Sequence, residues 1–147
     1  MGIYLINVTA LSCAGKGGEA AVKIQKSAED YLEMILMLSE KKGYARSIDV
    51  ANEMGVTKPS VSVAVKRLRE NGYLSMDGNG LLTLTESGDE IARRMYDRHK
   101  MLTEFFVSIG VSEETAREDA CKIEHDLSDE SYRAMCRHID WRGKQNN

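Results

Sequence analysis

Apolar residues recur at helical spacing along most of this chain. In "SAEDYLEMILMLSEKKG", Tyr31, Met34, Ile35 and Leu38 fall at i, i+3, i+4 and i+7, which predicts a helix with one buried stripe. Ser27 is placed to cap it, Glu29 and Asp30 sit in its first turn, and Gly43 ends it. Asp30 and Glu33 lie together on the flank of the stripe. "SIDVANEMGVTKPSVSVAVKRLRENGYL" then holds two shorter periodic segments. The first carries Ile48, Val50, Ala51 and Met54, with Ser47 as its cap and Gly55 as its stop. The second carries Val61, Val65 and Leu68, with Thr57 as cap, Pro59 in its first turn and Gly72 as stop. A small Ala where two helices cross, a Gly at the turn and a Val beyond it is the spacing of a helix-turn-helix.

The pattern then changes. In "YLSMDGNGLLTLT", two short apolar runs flank "DGNG", a hairpin signal, and a hairpin directly after a helix-turn-helix is a wing. From Thr85 a long helical pattern follows, with Ile91, Met95, Met101, Leu102, Phe105 and Phe106 on its apolar face and Gly110 at its end. Ser112 can cap a helix over "EETAREDACKIEHD", and Ser128 can cap a last one. The chain is therefore expected to be mainly α. Residues 1–26 form an N-terminal extension, expected to be flexible; 27–87 a winged helix-turn-helix; 88–142 an all-helical domain; 143–147 a loose tail.

Charge divides the same way. The net charge is only −3, so the whole chain is no polycation. Yet the stretch 56–69 has four basic residues and no acid, whereas 112–131 has eight acids against Arg117 and Lys122. With Val61, Val65 and Leu68 buried, the second helix of the pair turns Ser60, Val63 and Arg67 outward, with Ser62 and Lys66 beside them and Lys58 and Pro59 at its start. An exposed β-branched residue among hydroxyls and cations suits thymine methyls, phosphates and guanine edges. Alone, such a helix is more readily an ordinary solvated face; beside a turn helix and a wing it reads as DNA-binding.

In "CKIEHD", Cys121, Glu124 and His125 stand at i, i+3 and i+4, on one face of a helix. A thiol, a carboxylate and an imidazole together are the start of a metal site. With Asp30, Glu33 and His99 they make six candidate ligands, although singly each has a plainer explanation as a solvated or helix-start residue. Three scattered cysteines, Cys13, Cys121 and Cys136, do not form a disulfide framework, and a reducing cytoplasm is the expected location. No apolar run is long enough for a membrane span. "MGIYLINVTALSCAG" lacks the basic start of a signal peptide, although "ALSC" faintly resembles a lipoprotein cleavage site.

From Ser27 to about Ile139 the chain resembles the metal-dependent repressors typified by the diphtheria toxin repressor and the manganese transport regulator. "EDYLEMILML", "GYARSIDVANEMGVTKPSVSVAVKRLRENGYL", "LTLTESGDEIARRMYDRHKMLTEFF" and "DACKIEHDLSDE" carry the resemblance. It implies a winged-helix DNA-binding domain, a helical dimerisation and metal-binding domain, and a divalent-metal site between them, with Asp30, Glu33, His99, Cys121, Glu124 and His125 at the family's ligand positions. It implies Mn2+ or Fe2+ as corepressor, with Co2+ or Zn2+ able to substitute in vitro, and a homodimer on a palindromic operator in double-stranded DNA. No enzymatic activity, small-molecule substrate or membrane partner is expected. Three departures stand out. Cys121 replaces the acid of the manganese branch, while Asp30 replaces the Met of the iron branch. Thr103 and Arg117 occupy positions of the iron branch's ancillary site. The third, SH3-like domain of the iron branch is expected to be missing. The rival readings are a metal-independent winged-helix regulator of a small organic ligand, a metalloenzyme, and a protein-interaction module.

Overall fold

The computed structural model describes residues 26–145. Expectations for the extension, Cys13 and the last two residues lie outside that range. By contacts, residues 26–126 make one compact unit, and the final helix is described by itself.

Helix α1 (Lys26–Lys42) is the axis of the unit. It packs against α2 (Ser47–Met54), α3 (Lys58–Glu70), strand β2 (Leu82–Leu84) and α4 (Glu86–Ser108). So many neighbours cover more than one stripe. Leu32, Ile35, Leu36 and Leu38 are buried, as are Glu29 and Glu33, whereas Tyr31 and Met34 are half-buried. Ser27 lies within α1 and is not its cap.

The helix pair is as the spacing predicts, with one change at its start. Arg46, not Ser47, occupies the N-cap of α2 and makes no side-chain capping bond. Ile48 of α2 is exposed. Gly55 closes α2 in the left-handed region, φ 66°, where a side chain would be strained. Thr57 accepts the Ser60 N–H at 3.3 Å and starts α3. Val61, Val65 and Leu68 face inward to join Leu32, Ile35 and Val50 in the core.

β1 (Leu74–Met76) pairs antiparallel with β2, Leu74 opposite Leu84. The "DGNG" turn is closed by the Asp77 carboxylate, which accepts the N–H groups of Asn79 and Leu81, both at 2.9 Å. The Leu82 N–H donates to Ala45 O at 2.9 Å, tying the wing to the segment before α2. Thr85 caps α4 and also donates its hydroxyl to Gly72 O at 2.7 Å, so the end of α3 and the start of α4 are locked together.

α5 (Glu113–Ile123) starts at Ser112, whose hydroxyl accepts the Thr115 N–H at 3.4 Å. Met95, Met101 and Leu102 of α4 and Ala116 and Ala120 of α5 are buried where these two helices pack. α6 (Asp129–Gln145) is capped by Ser128 and continues past residue 143, where a loose tail was expected. No described helix is long and apolar enough to cross a membrane.

Candidate metal centre and DNA-facing helix

Three elements converge on one polar cluster. α1 contributes Asp30 and Glu33, α4 contributes His99, and the end of α5 contributes Glu124 and His125. Asp30, Glu124 and His125 offer donor atoms all within 4.8 Å of one another, and so do Glu33, His99 and Glu124. Glu124 belongs to both groups and is fully buried. Its Oε2 lies 2.9 Å from His99 Nδ1. Its Oε1 has no hydrogen-bond partner among the described residues and lies 3.4 Å from His125 Nε2. His125 Nε2 in turn lies 2.6 Å from Asp30 Oδ1.

Cys121 stands apart. It is exposed and belongs to neither group. Regular helix stops at Ile123, Glu124 caps it with helical backbone angles and its N–H still on Ala120 O, and His125 lies in the turn beyond. That turn has its own support. The Asp126 N–H closes a tight bond to Ile123 O at 3.0 Å, and Arg98 donates Nη1 to Glu124 O at 3.2 Å. Arg98 is buried and spans from α4 to the turn, so it holds the backbone that presents Glu124 and His125.

Sequence reasoning missed two participants, Arg98 and Glu29. The signal for both is periodicity. Met95, Arg98 and Leu102 stand at i, i+3 and i+7, and Glu29, Leu32, Glu33 and Leu36 at i, i+3, i+4 and i+7, so each charge lies on a buried face.

The cluster is electrostatically uneasy. Burial, then the charge of and hydrogen bonding to Glu124, then the charges of Asp30 and Glu29, push Glu33 up to about 9. Burial raises Asp30 despite the opposing pull of His125. Cys121 is raised by the inward-facing part of its surface, then by the charges of Glu124, Asp30 and Glu33. Crowded carboxylates, two imidazoles and an orphaned buried oxygen are a donor set that a divalent cation satisfies. Asp30, Glu33, His99, Glu124 and His125 would hold it.

A pH dependence follows. Between 4.5 and about 9 the unfolded chain has released the proton that folded Glu33 retains. The folded state binds more protons there, so metal-free protein loses stability as pH rises across that interval, and Asp30 adds in the same direction. Chemical denaturation in chelator over that pH range checks this. Glu33→Gln should flatten the profile; an unchanged slope in that variant would place the proton elsewhere.

The residues expected to face DNA are all on the surface. Lys58, Pro59, Ser60, Ser62, Val63, Lys66 and Arg67 are exposed along α3, and Val63 keeps 53% of its surface free. Lys66 makes a long contact to Glu70, at 3.9 Å, between two exposed side chains. Ser60 shares its hydroxyl with the Thr57 cap at 2.8 Å.

Residues 23–81 match the family model described as the iron-dependent repressor N-terminal DNA-binding domain. Residues 85–141 match the iron-dependent repressor metal-binding and dimerisation domain. The chain belongs to the iron-dependent repressor family. It is 43% identical over 102 residues to the HTH-type transcriptional regulator MntR of Bacillus subtilis, covering 69% of this chain and 72% of that protein. Among solved structures, IdeR of T. acidophilum superposes with a TM-score of 0.68 at 31% identity, covering 76% of this chain. The manganese regulator SloR superposes with a TM-score of 0.69 at 27% identity, covering 78%. The chain spans about half of each of those two longer chains, 53% and 54%. This repressor therefore pairs a DNA-binding winged helix with a metal-binding, dimerising helical region, and it regulates transcription in response to a divalent metal.

Proposed function

We propose that the repressor uses Mn2+ as its corepressor, with Fe2+ the second candidate, bound by Asp30, Glu33, His99, Glu124 and His125, to control genes of metal homeostasis. One observation carries this reading: two ligand groups that share a buried Glu124 draw on α1, α4 and the end of α5. The donors of both groups are oxygen and nitrogen, a set that suits manganese better than softer metals. Cys121 lies outside them and weakens the case for a thiolate-driven preference. The name of SloR, a manganese regulator, points the same way. Sharing of Glu124 also allows two ions in one centre.

A bound cation supplies positive charge among carboxylates that otherwise repel. The chain's own residues do the rest. Asp30 and Glu33 tie α1, the helix on which the winged head is built, to His99, Glu124 and His125 of the helical region. We assign residues 27–87 to the head and 88–142 to dimerisation. In a homodimer, fixing this joint sets the spacing of two α3 helices over the half-sites of a palindromic operator. A hundredfold preference of the cation for the DNA-competent arrangement corresponds to about 2.7 kcal/mol, enough to make a minor state the major one. No catalytic role is assigned, and a regulator of chromosomal DNA works in the cytoplasm. A regulator answering to a small organic ligand is not favoured, because the buried ionisable cluster suits a cation.

The test is fluorescence anisotropy on an operator palindrome, titrated anaerobically with Mn2+, Fe2+, Co2+ and Zn2+. Operator binding is expected only with metal, and Mn2+ is expected to be effective. Equal affinity of chelator-stripped protein would overturn the reading.

On α3, Lys58, Lys66 and Arg67 are assigned to phosphates or guanine, Ser60 and Ser62 to phosphates or base edges, and Val63 to a thymine methyl, with Pro59 setting the entry of the helix. Arg67→Ala is expected to weaken operator binding by about tenfold and to lower the slope of log K against log salt by about 1. Salt titrations of the metal-loaded protein check this, and an unaltered slope would move the phosphate contact elsewhere.

A further inference from the structure

α1 buries two carboxylates, and only Glu33 joins a ligand group. The other, Glu29, faces His125 from the opposite side. Its Oε2 lies 3.2 Å from His125 Nδ1, while Nε2 of the same ring lies 2.6 Å from Asp30 Oδ1 and 3.4 Å from Glu124 Oε1. Adjacent residues of one helix thus address the two nitrogens of one imidazole. The contact is sheltered: the His125 side chain is 3% exposed and that of Glu29 11%. Little water competes for either nitrogen.

We propose that Glu29 is a positioning residue for the metal centre: it accepts the Nδ1–H of His125 and so leaves Nε2 as the nitrogen that faces Asp30 and Glu124. The inference rests on the metal reading above. A neutral imidazole carries one N–H, and the hydrogen bond made by one nitrogen decides which nitrogen can donate its lone pair to a cation. A carboxylate on Nδ1 holds the ring in place and fixes its tautomer. Glu29 is also in α1, so the same bond helps register the first helix of the DNA-binding region against the turn after α5. Asp30 cannot substitute, because its oxygen is on the Nε2 side.

The experiment is calorimetric titration of Mn2+ into the full chain, comparing the native protein with E29A, E29Q and H125A. E29A is expected to bind Mn2+ about 10–100-fold more weakly, and E29Q, whose amide oxygen still accepts from Nδ1–H, to stay within about fivefold of native. Native affinity in E29A, or an E29Q as weak as E29A, would overturn the proposal. Native protein that binds no Mn2+, or H125A that binds it normally, would overturn the metal reading itself. A second readout needs no variant: long-range 1H–15N correlation spectra of the Zn2+-loaded chain should show His125 protonated at Nδ1. Protonation at Nε2 would refute the assignment even if E29A failed to fold.

Discussion

Glu124→Gln is expected to lower divalent-cation affinity by about 100-fold or more, beyond the usual cost of losing an outer partner, and to abolish metal-dependent operator binding. The reason is position. Glu124 is fully buried, contributes to both ligand groups, and holds one oxygen without a hydrogen-bond partner among the described residues. Gln preserves the volume and removes the charge. Metal-free protein should therefore remain folded. It should even become less sensitive to pH, since the charge of Glu124 ranks just after burial among the causes that raise Glu33. Mn2+ calorimetry and unfolding of the metal-free variant give the two halves of the result. A Glu124→Gln protein that still represses with normal metal dependence would show that the centre is elsewhere.

Gly88→Ala is expected to destabilise the winged head by about 3 kcal/mol, the upper part of the range for overpacked sites, which lowers the melting temperature by about 10 °C. Gly88 lies in the first turn of α4, directly over the backbone of Tyr73. A Cβ there would come within 2.0 Å of Tyr73 O. The obstacle is backbone, and it is held: the Thr85 N–H donates to the same carbonyl at 3.1 Å, and the Thr85 hydroxyl to Gly72 O at 2.7 Å. Neither partner can move without giving up the junction of α3, β1 and α4. Gly78, in the hairpin turn with nothing within 4 Å of its added Cβ, is the control. Gly78→Ala should stay within about 0.5 kcal/mol. Equal melting temperatures for the two variants would mean that the α3–α4 junction is looser than this packing implies.

The distribution of what could be read from the residues follows from the range of the forces. Helix periodicity, Gly stops and Ser or Thr caps are local, and they marked α2 to α5 and the hairpin closely. The same local signals failed where a distant partner took over. Ser47 is not a cap, because the chain enters α2 through Arg46 beside the wing. Helix α5 was expected to run through Asp126, but it ends at Ile123, with the Glu124 carbonyl held by Arg98 from α4.

By itself the sequence determined the helix-turn-helix and its wing, the exposed basic row of α3, and a short set of polar residues with metal-binding chemistry. Those depend on spacing along single elements. Only the tertiary structure decided which of these polar residues meet, that Glu124 is shared, and that Glu29 and Arg98 both contact the turn after α5. Such choices depend on how α1 and α5 pack against α4, where Met95, Leu102 and Ala120 are buried, and not on any pattern within one helix.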